Sequence, residues 1–120
     1  MLNLDTHILI FALSGKLTID ERQALDRDEW SIAAIVVWEI AKLAQVGRIE
    51  MDLHSPLLRD ALDEIHIWPL TPDVCRRLVD LDFRSDPADE LIAATSVVHK
   101  IPLMTRDRLL RRSKIVPLAQ

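Results

Sequence analysis

The chain has 120 residues, 49% of them hydrophobic, and its fifteen basic and nineteen acidic side chains give a formal charge of −4. That length fits a single domain over residues 1–120, with enough apolar material for a core. No apolar run approaches the roughly 18 residues of a membrane span, and no basic segment precedes the first apolar stretch as in a signal peptide. The acidic balance disfavours a general nucleic-acid binder. Cys75 stands alone, so an intrachain disulfide is excluded and a reducing cytoplasm is the expected location.

Leu2-Asn3-Leu4-Asp5 reads as a short buried strand, and the apolar run from Ile8 to Leu13 as a helix that Gly15 stops. Thr18-Ile19-Asp20-Glu21 is a capping box, which predicts a helix as far as Asp26. Trp30 to Ala33 is the second strand, and Ile35 to Gln45 an apolar helix closed by Gly47. Ser55-Pro56 opens another helix with Pro56 at its first position. His66 to Leu70 reads as a strand, and Thr71-Pro72 opens a helix as far as Asp80. Asp86-Pro87 repeats that grammar and predicts a helix to His99. Leu103 to Thr105 is a strand, a basic helix follows, and Ile115 to Pro117 is a last strand. Short apolar strands alternating with helices predict an α/β fold, a mainly parallel sheet covered on both faces.

In such sheets ligands bind beyond the carboxyl ends of the strands. Asp5 ends the first strand, and Asp107 follows the strand at 103–105. Glu39 and Asp89 are expected in the first turns of their helices, where the dipole favours negative charge. Carboxylates do not gather for packing, since like charges repel and desolvation is costly. If the fold brings these four together, a hard cation such as Mg²⁺ is the simplest explanation.

Each acid also has a plainer use. Asp5 can cap the helix that follows it. Glu39, among Val36, Val37, Trp38, Ile40 and Ala41, is expected on a helix buried nearly all round, with Lys42 as an ion-pair partner. Asp86 is most simply a helix cap, and Asp107 a turn residue or cap. Glu90, about 100° around the helix from Asp89, is expected to face elsewhere.

Other chemistry finds little support. The four histidines show no metal-ligand pairing, and one cysteine makes a zinc site improbable. Gly15 and Gly47 are the only glycines, so no phosphate loop exists. Trp30, Trp38 and Trp68 read as core, and Cys75 as a small buried hydrophobe. Lys100, Arg106, Arg108, Arg111, Arg112 and Lys114 crowd the last quarter, either as a solvated helix face or as a phosphate-binding patch.

The ordered set Leu4-Asp5-Thr6-His7-Ile8-Leu9, Ser31 with Trp38-Glu39-Ile40-Ala41-Lys42, Asp86-Pro87-Ala88-Asp89 with Leu91-Ile92-Ala93-Ala94, and Leu103-Met104-Thr105-Arg106-Asp107 resembles PIN-domain ribonucleases. Among them it is most similar to the VapC-type toxins of toxin–antitoxin pairs. The resemblance implies a three-layer α/β/α sandwich with four or five short strands. It implies an endoribonuclease that uses Mg²⁺ or Mn²⁺, works as a homodimer and is inhibited by a small protein antitoxin. Its acidic ligands fall on Asp5, Glu39, Asp89 and Asp107. Thr6 and Thr105 fall on supporting polar positions, and Asp86 on a second acid that is either ligand or cap. Arg106, Arg108 and Arg112 are candidates for substrate phosphates. The chain departs from the family pattern at Arg84, Ala88 and Glu90, where His, an aromatic and Arg are common.

Two other readings fit the length and alternation. A phospho-receiver signalling domain requires a phosphoacceptor at the end of the middle strand, for which Asp52 is the only candidate. A catalytically silent interaction module uses the acids only as caps and ion pairs.

Overall fold

In the computed structural model, which describes residues 1–119, the strands are β1 (Leu2–Leu4), β2 (Trp30–Ala33), β3 (His66–Trp68) and β4 (Leu103–Met104). The helices are α1 (Thr6–Leu13), α2 (Ile19–Asp26), α3 (Ala34–Gln45), α4 (Pro56–Glu64), α5 (Pro72–Arg76), α6 (Pro87–His99) and α7 (Arg108–Arg111), with a 3₁₀ turn at Arg77–Asp80. The sheet order is β3-β2-β1-β4 and every pairing is parallel. Among the described residues no helix is long and apolar enough to cross a membrane.

Local sequence accounts for most of these boundaries. The Thr18 hydroxyl accepts from the Glu21 N–H while Glu21 accepts from the Thr18 N–H, so the capping box at α2 is complete. Ser55 and Thr71 accept from Leu58 and Val74 N–H at the starts of α4 and α5. Gly15 and Gly47 take φ of +70° and +77°, the left-handed region where a side chain costs about 1 kcal/mol or more, just past α1 and α3.

The core lies on both faces of the sheet. Leu4, Ile32 and Leu103 from the strands, Ile8 and Leu9 from α1, Ile40 from α3 and Ile92 from α6 are all fully buried. Asn3 is buried with them, and its Nδ2 donates to Ser96 Oγ at 2.9 Å, tying β1 to α6. Ile32→Ala is expected to cost about 2–5 kcal/mol, read as a lower urea midpoint at unchanged slope.

Three expectations fail for identifiable reasons. Residues 115–117 are not a strand; only Leu118 bridges to Leu103. Pro117 has no N–H for a ladder, and the Ser113 hydroxyl already accepts from the N–H groups of Ile115 and Val116. Cys75 is exposed, because the short α5 buries only Val74. Trp38 is 56% exposed, because α3 fully buries only the stripe of Val36 and Ile40, one turn apart.

From β1 the chain builds to β2 and β3 on one side and later returns to add β4 on the other. The order therefore reverses between β1 and β4, and a crevice opens beyond their carboxyl ends. Asp5 and Asp107 stand there.

Candidate active site

Asp5 leaves β1 and caps α1 at once. Its Oδ1 accepts from the Thr6 N–H at 2.8 Å, and its Oδ2 accepts from the Thr105 hydroxyl at 2.6 Å. Only 6% of Asp5 is exposed. Each carboxylate oxygen thus has one protein donor and keeps lone-pair capacity for something else. Cap and ligand are compatible roles here.

Thr6 and Thr105 each join two acids. Thr6 gives its N–H to Asp5 and its hydroxyl to Glu39 Oε1. Thr105 gives its hydroxyl to Asp5 and accepts from the Asp107 N–H at 3.0 Å. Two fully or nearly fully buried hydroxyls therefore hold the carboxylates of Asp5 and Glu39 and the backbone of Asp107.

Glu39 lies in the second turn of α3, not the first, so the helix dipole does not explain it. Nor does Lys42, whose ammonium donates to Gln45 instead. Burial raises the Glu39 carboxyl above its ordinary value; the Thr6 hydroxyl opposes this, and the charges of Asp89 and Asp5 add to it.

Asp89 stands in the first turn of α6, where Ser85 Oγ donates to its Oδ2 at 2.9 Å. Burial raises Asp89 too, with Ser85 opposing and Asp5, Asp107 and Asp86 adding repulsion. Asp86 occupies the cap position of α6 by its backbone, yet its side chain makes no capping hydrogen bond. It lines the acidic crevice instead. Glu90 turns away and accepts from the Ser85 N–H. Asp107 caps α7, its Oδ1 accepting from the N–H groups of Leu109 and Leu110.

The result is one cavity of about 510 Å³ lined by Asp5, Glu39, Asp86, Asp89 and Asp107, with His7, Phe11 and Arg106 completing its wall. Asp52, by contrast, lies in the loop before α4 and its Oδ1 accepts from the His54 N–H, so no strand presents it as a phosphoacceptor. Arg108 and Arg112 do not line the acidic cavity.

The donor set fits a hard divalent cation, being carboxylate oxygens with hydroxyl support. Among the described residues, no three acidic or imidazole groups stand close enough to one point to enclose an ion directly.

The sequence model of the PIN domain matches residues 3–115, nearly the whole chain. The chain belongs to the PIN domain family. This PIN domain is 35% identical over 114 residues to Ribonuclease VapC22 of Mycobacterium tuberculosis, a match covering 90% of the chain and 88% of that relative. Its fold is that of VapBC2 from Rickettsia felis, solved bound to a DNA fragment from its promoter, with a TM-score of 0.79 at 17% identity over 99% of this chain and 98% of the other. FitAcB from Neisseria gonorrhoeae superposes with a TM-score of 0.73 at 20% identity, covering 100% and 97% of the two chains. At those identities the structural likeness carries the fold alone.

Three side chains of the PIN domain site escaped sequence reasoning. His7 and Phe11 stand one helical turn apart on α1, their rings in edge contact at 6.2 Å, and that four-residue spacing after Asp5 was the available signal. Ser85 lies four residues before Asp89 with nothing to mark it.

Proposed function

We propose that this chain is a divalent-metal-dependent endoribonuclease and the toxin of a toxin–antitoxin pair. The observation that carries the reading is the cavity into which a strand end, helix starts and the second turn of α3, far apart in sequence, deliver Asp5, Glu39, Asp86, Asp89 and Asp107. Similarity to a relative named as a ribonuclease supports the choice of RNA.

Asp5, Glu39, Asp89 and Asp107 would hold Mg²⁺ or Mn²⁺ partly through bound water, because no three of them reach one point directly, with Asp86 at the edge of the set. The bound metal acidifies a water and offsets charge on the phosphoryl oxygens. The protein's part is positional. Thr105 and the Thr6 N–H fix Asp5 through both oxygens, Thr6 orients Glu39, and Ser85 orients Asp89. The clustered carboxylates repel a phosphodiester, a charge that a bound cation would offset. Attack of water on phosphorus, with the P–O3′ bond breaking and the 3′ oxygen leaving as a hydroxyl, would give 5′-phosphate and 3′-hydroxyl ends.

Metal-dependent cleavage is tested with purified protein and single-stranded RNA in Mg²⁺, in Mn²⁺ and in EDTA. Cleavage with either metal and none in EDTA is expected; cleavage that survives EDTA would contradict the reading. The melting temperature is also expected to rise with Mg²⁺, by the equivalent of about 2.7 kcal/mol at a hundredfold excess over Kd. A silent interaction module would melt the same with and without the ion.

Solved complexes of similar fold pair a toxin with its antitoxin, as in the assembly from Klebsiella pneumoniae. The partner proposed here is likewise a small protein whose tail enters the acidic cavity, and the toxin acts in the cytoplasm as a homodimer. Co-purification of an antitoxin that blocks RNA cleavage is the expected result.

A further inference from the structure

Arg106 sits between Thr105 and Asp107 and lines the acidic cavity, yet its guanidinium hydrogen-bonds to none of the carboxylates there. It is held from outside. Nε donates to Glu21 Oε2 at 2.8 Å, and Nη2 donates to Glu21 Oε1 at 2.6 Å and to the Lys16 carbonyl at 3.2 Å. The guanidinium carbon lies 4.2 Å from the centre of the Phe11 ring. Glu21 is fixed in turn by the capping box of α2. Among the described residues Nη1 has no hydrogen-bond partner.

Such a brace has a physical purpose. A flexible cation beside five carboxylates would fold onto them and occupy the place of metal and substrate. The two-bond fork from Glu21 and the Phe11 ring oppose that collapse, and they leave Nη1 of this cavity-lining residue unpaired.

We propose that Arg106 binds a phosphate of the RNA strand through its unpaired Nη1 group, and that Glu21 is the positioning residue that keeps it there. The inference rests on the nuclease reading and adds the phosphate contact beside its metal site. Because the fork and the stacking are formed before RNA arrives, little side-chain entropy is lost on binding.

The test combines binding and kinetics. Binding of a labelled single-stranded RNA of mixed sequence is measured over a salt series in an Asp5→Asn background, where the RNA stays intact. Arg106→Ala is expected to weaken binding about tenfold and to flatten the plot of log affinity against log salt by about 0.7. Glu21→Gln keeps a residue competent for the capping box, so α2 still forms. It loses the charged fork and is expected to reproduce most of the loss, seen in KM rather than kcat in the otherwise wild-type enzyme. The double variant is expected to lose no more than Arg106→Ala alone. Wild-type affinity and salt slope in either folded single variant, while the wild type still cleaves RNA, would overturn this inference and spare the nuclease reading. A wild type that cleaves no RNA would overturn both.

Discussion

Asp5→Asn is expected to cut RNA cleavage by about three decades or more while the protein still folds. Several kcal/mol of charge stabilisation at the phosphoryl group correspond to a loss of that size. The fold survives because asparagine can reproduce both local hydrogen bonds. Its carbonyl oxygen accepts from the Thr6 N–H, and its amide can donate to the Thr105 hydroxyl oxygen. What it loses is the negative charge and the second acceptor. Rates measured beside circular dichroism of the same preparation check this. Metal-dependent cleavage retained by a folded variant would remove Asp5 from the site.

Asp89→Asn is expected to separate activity from stability. Cleavage should fall by about two to three decades, by the same argument. Stability in EDTA near neutral pH should rise, because the variant removes one of several mutually repelling charges. The sign follows from the raised Asp89 carboxyl, with burial as the main cause and the charges of Asp5, Asp107 and Asp86 contributing. An acid whose folded pKa exceeds its unfolded value carries its cost when ionised, above the folded pKa. As pH falls through that value toward the ordinary 3.8, the wild type takes up the proton and the cost disappears. The advantage of the variant should therefore be present at neutral pH and vanish toward 3.8. Glu39 contributes with the same sign.

Glu21 works in the opposite direction. The Arg106 guanidinium hydrogen bond holds its carboxyl at about 2, below the ordinary 4.5. Its stabilisation is present above 4.5 and is lost as pH falls through about 2. Chemical denaturation of wild type and Asp89→Asn across pH in EDTA checks the pair of signs. A variant less stable than wild type at neutral pH without metal would contradict the repulsion argument.

Much of this site was legible because its acids stand at element boundaries, where sequence signals are strongest. Asp5 follows an apolar strand, Asp89 follows an Asp-Pro helix start, and Asp107 follows a strand and begins a helix. These are local patterns, and the parallel sheet then forces their ends together. Glu39 was legible as an acid in an apolar helix, although the reason for its tolerance was not. The hydroxyl that orients it belongs to Thr6 on a different helix, and no local pattern reports such a contact. The same holds for Arg106, whose partner Glu21 lies 85 residues away.

Local residue chemistry does not report the neighbours that decide burial and pairing. Trp38 and Cys75 read as core from their chemistry, but short or one-faced helices bury only a narrow stripe. Asp86 reads as either ligand or cap from its position. With no side-chain cap bond to hold it, its carboxylate instead lines the shared cavity. The last strand reads from Ile115 and Val116, but the Ser113 hydroxyl takes their N–H groups and pairing with β4 is a single bridge at Leu118.

The central idea is that carboxylates from separate elements share one divalent ion. Electron paramagnetic resonance of Mn²⁺ titrated into the protein tests it without reference to any substrate. Saturable binding by the wild type, weakened in both Asp5→Asn and Asp89→Asn and displaced by excess Mg²⁺, is the expected result. Mn²⁺ that stays free in the wild type, or binds equally well to both variants, would contradict it.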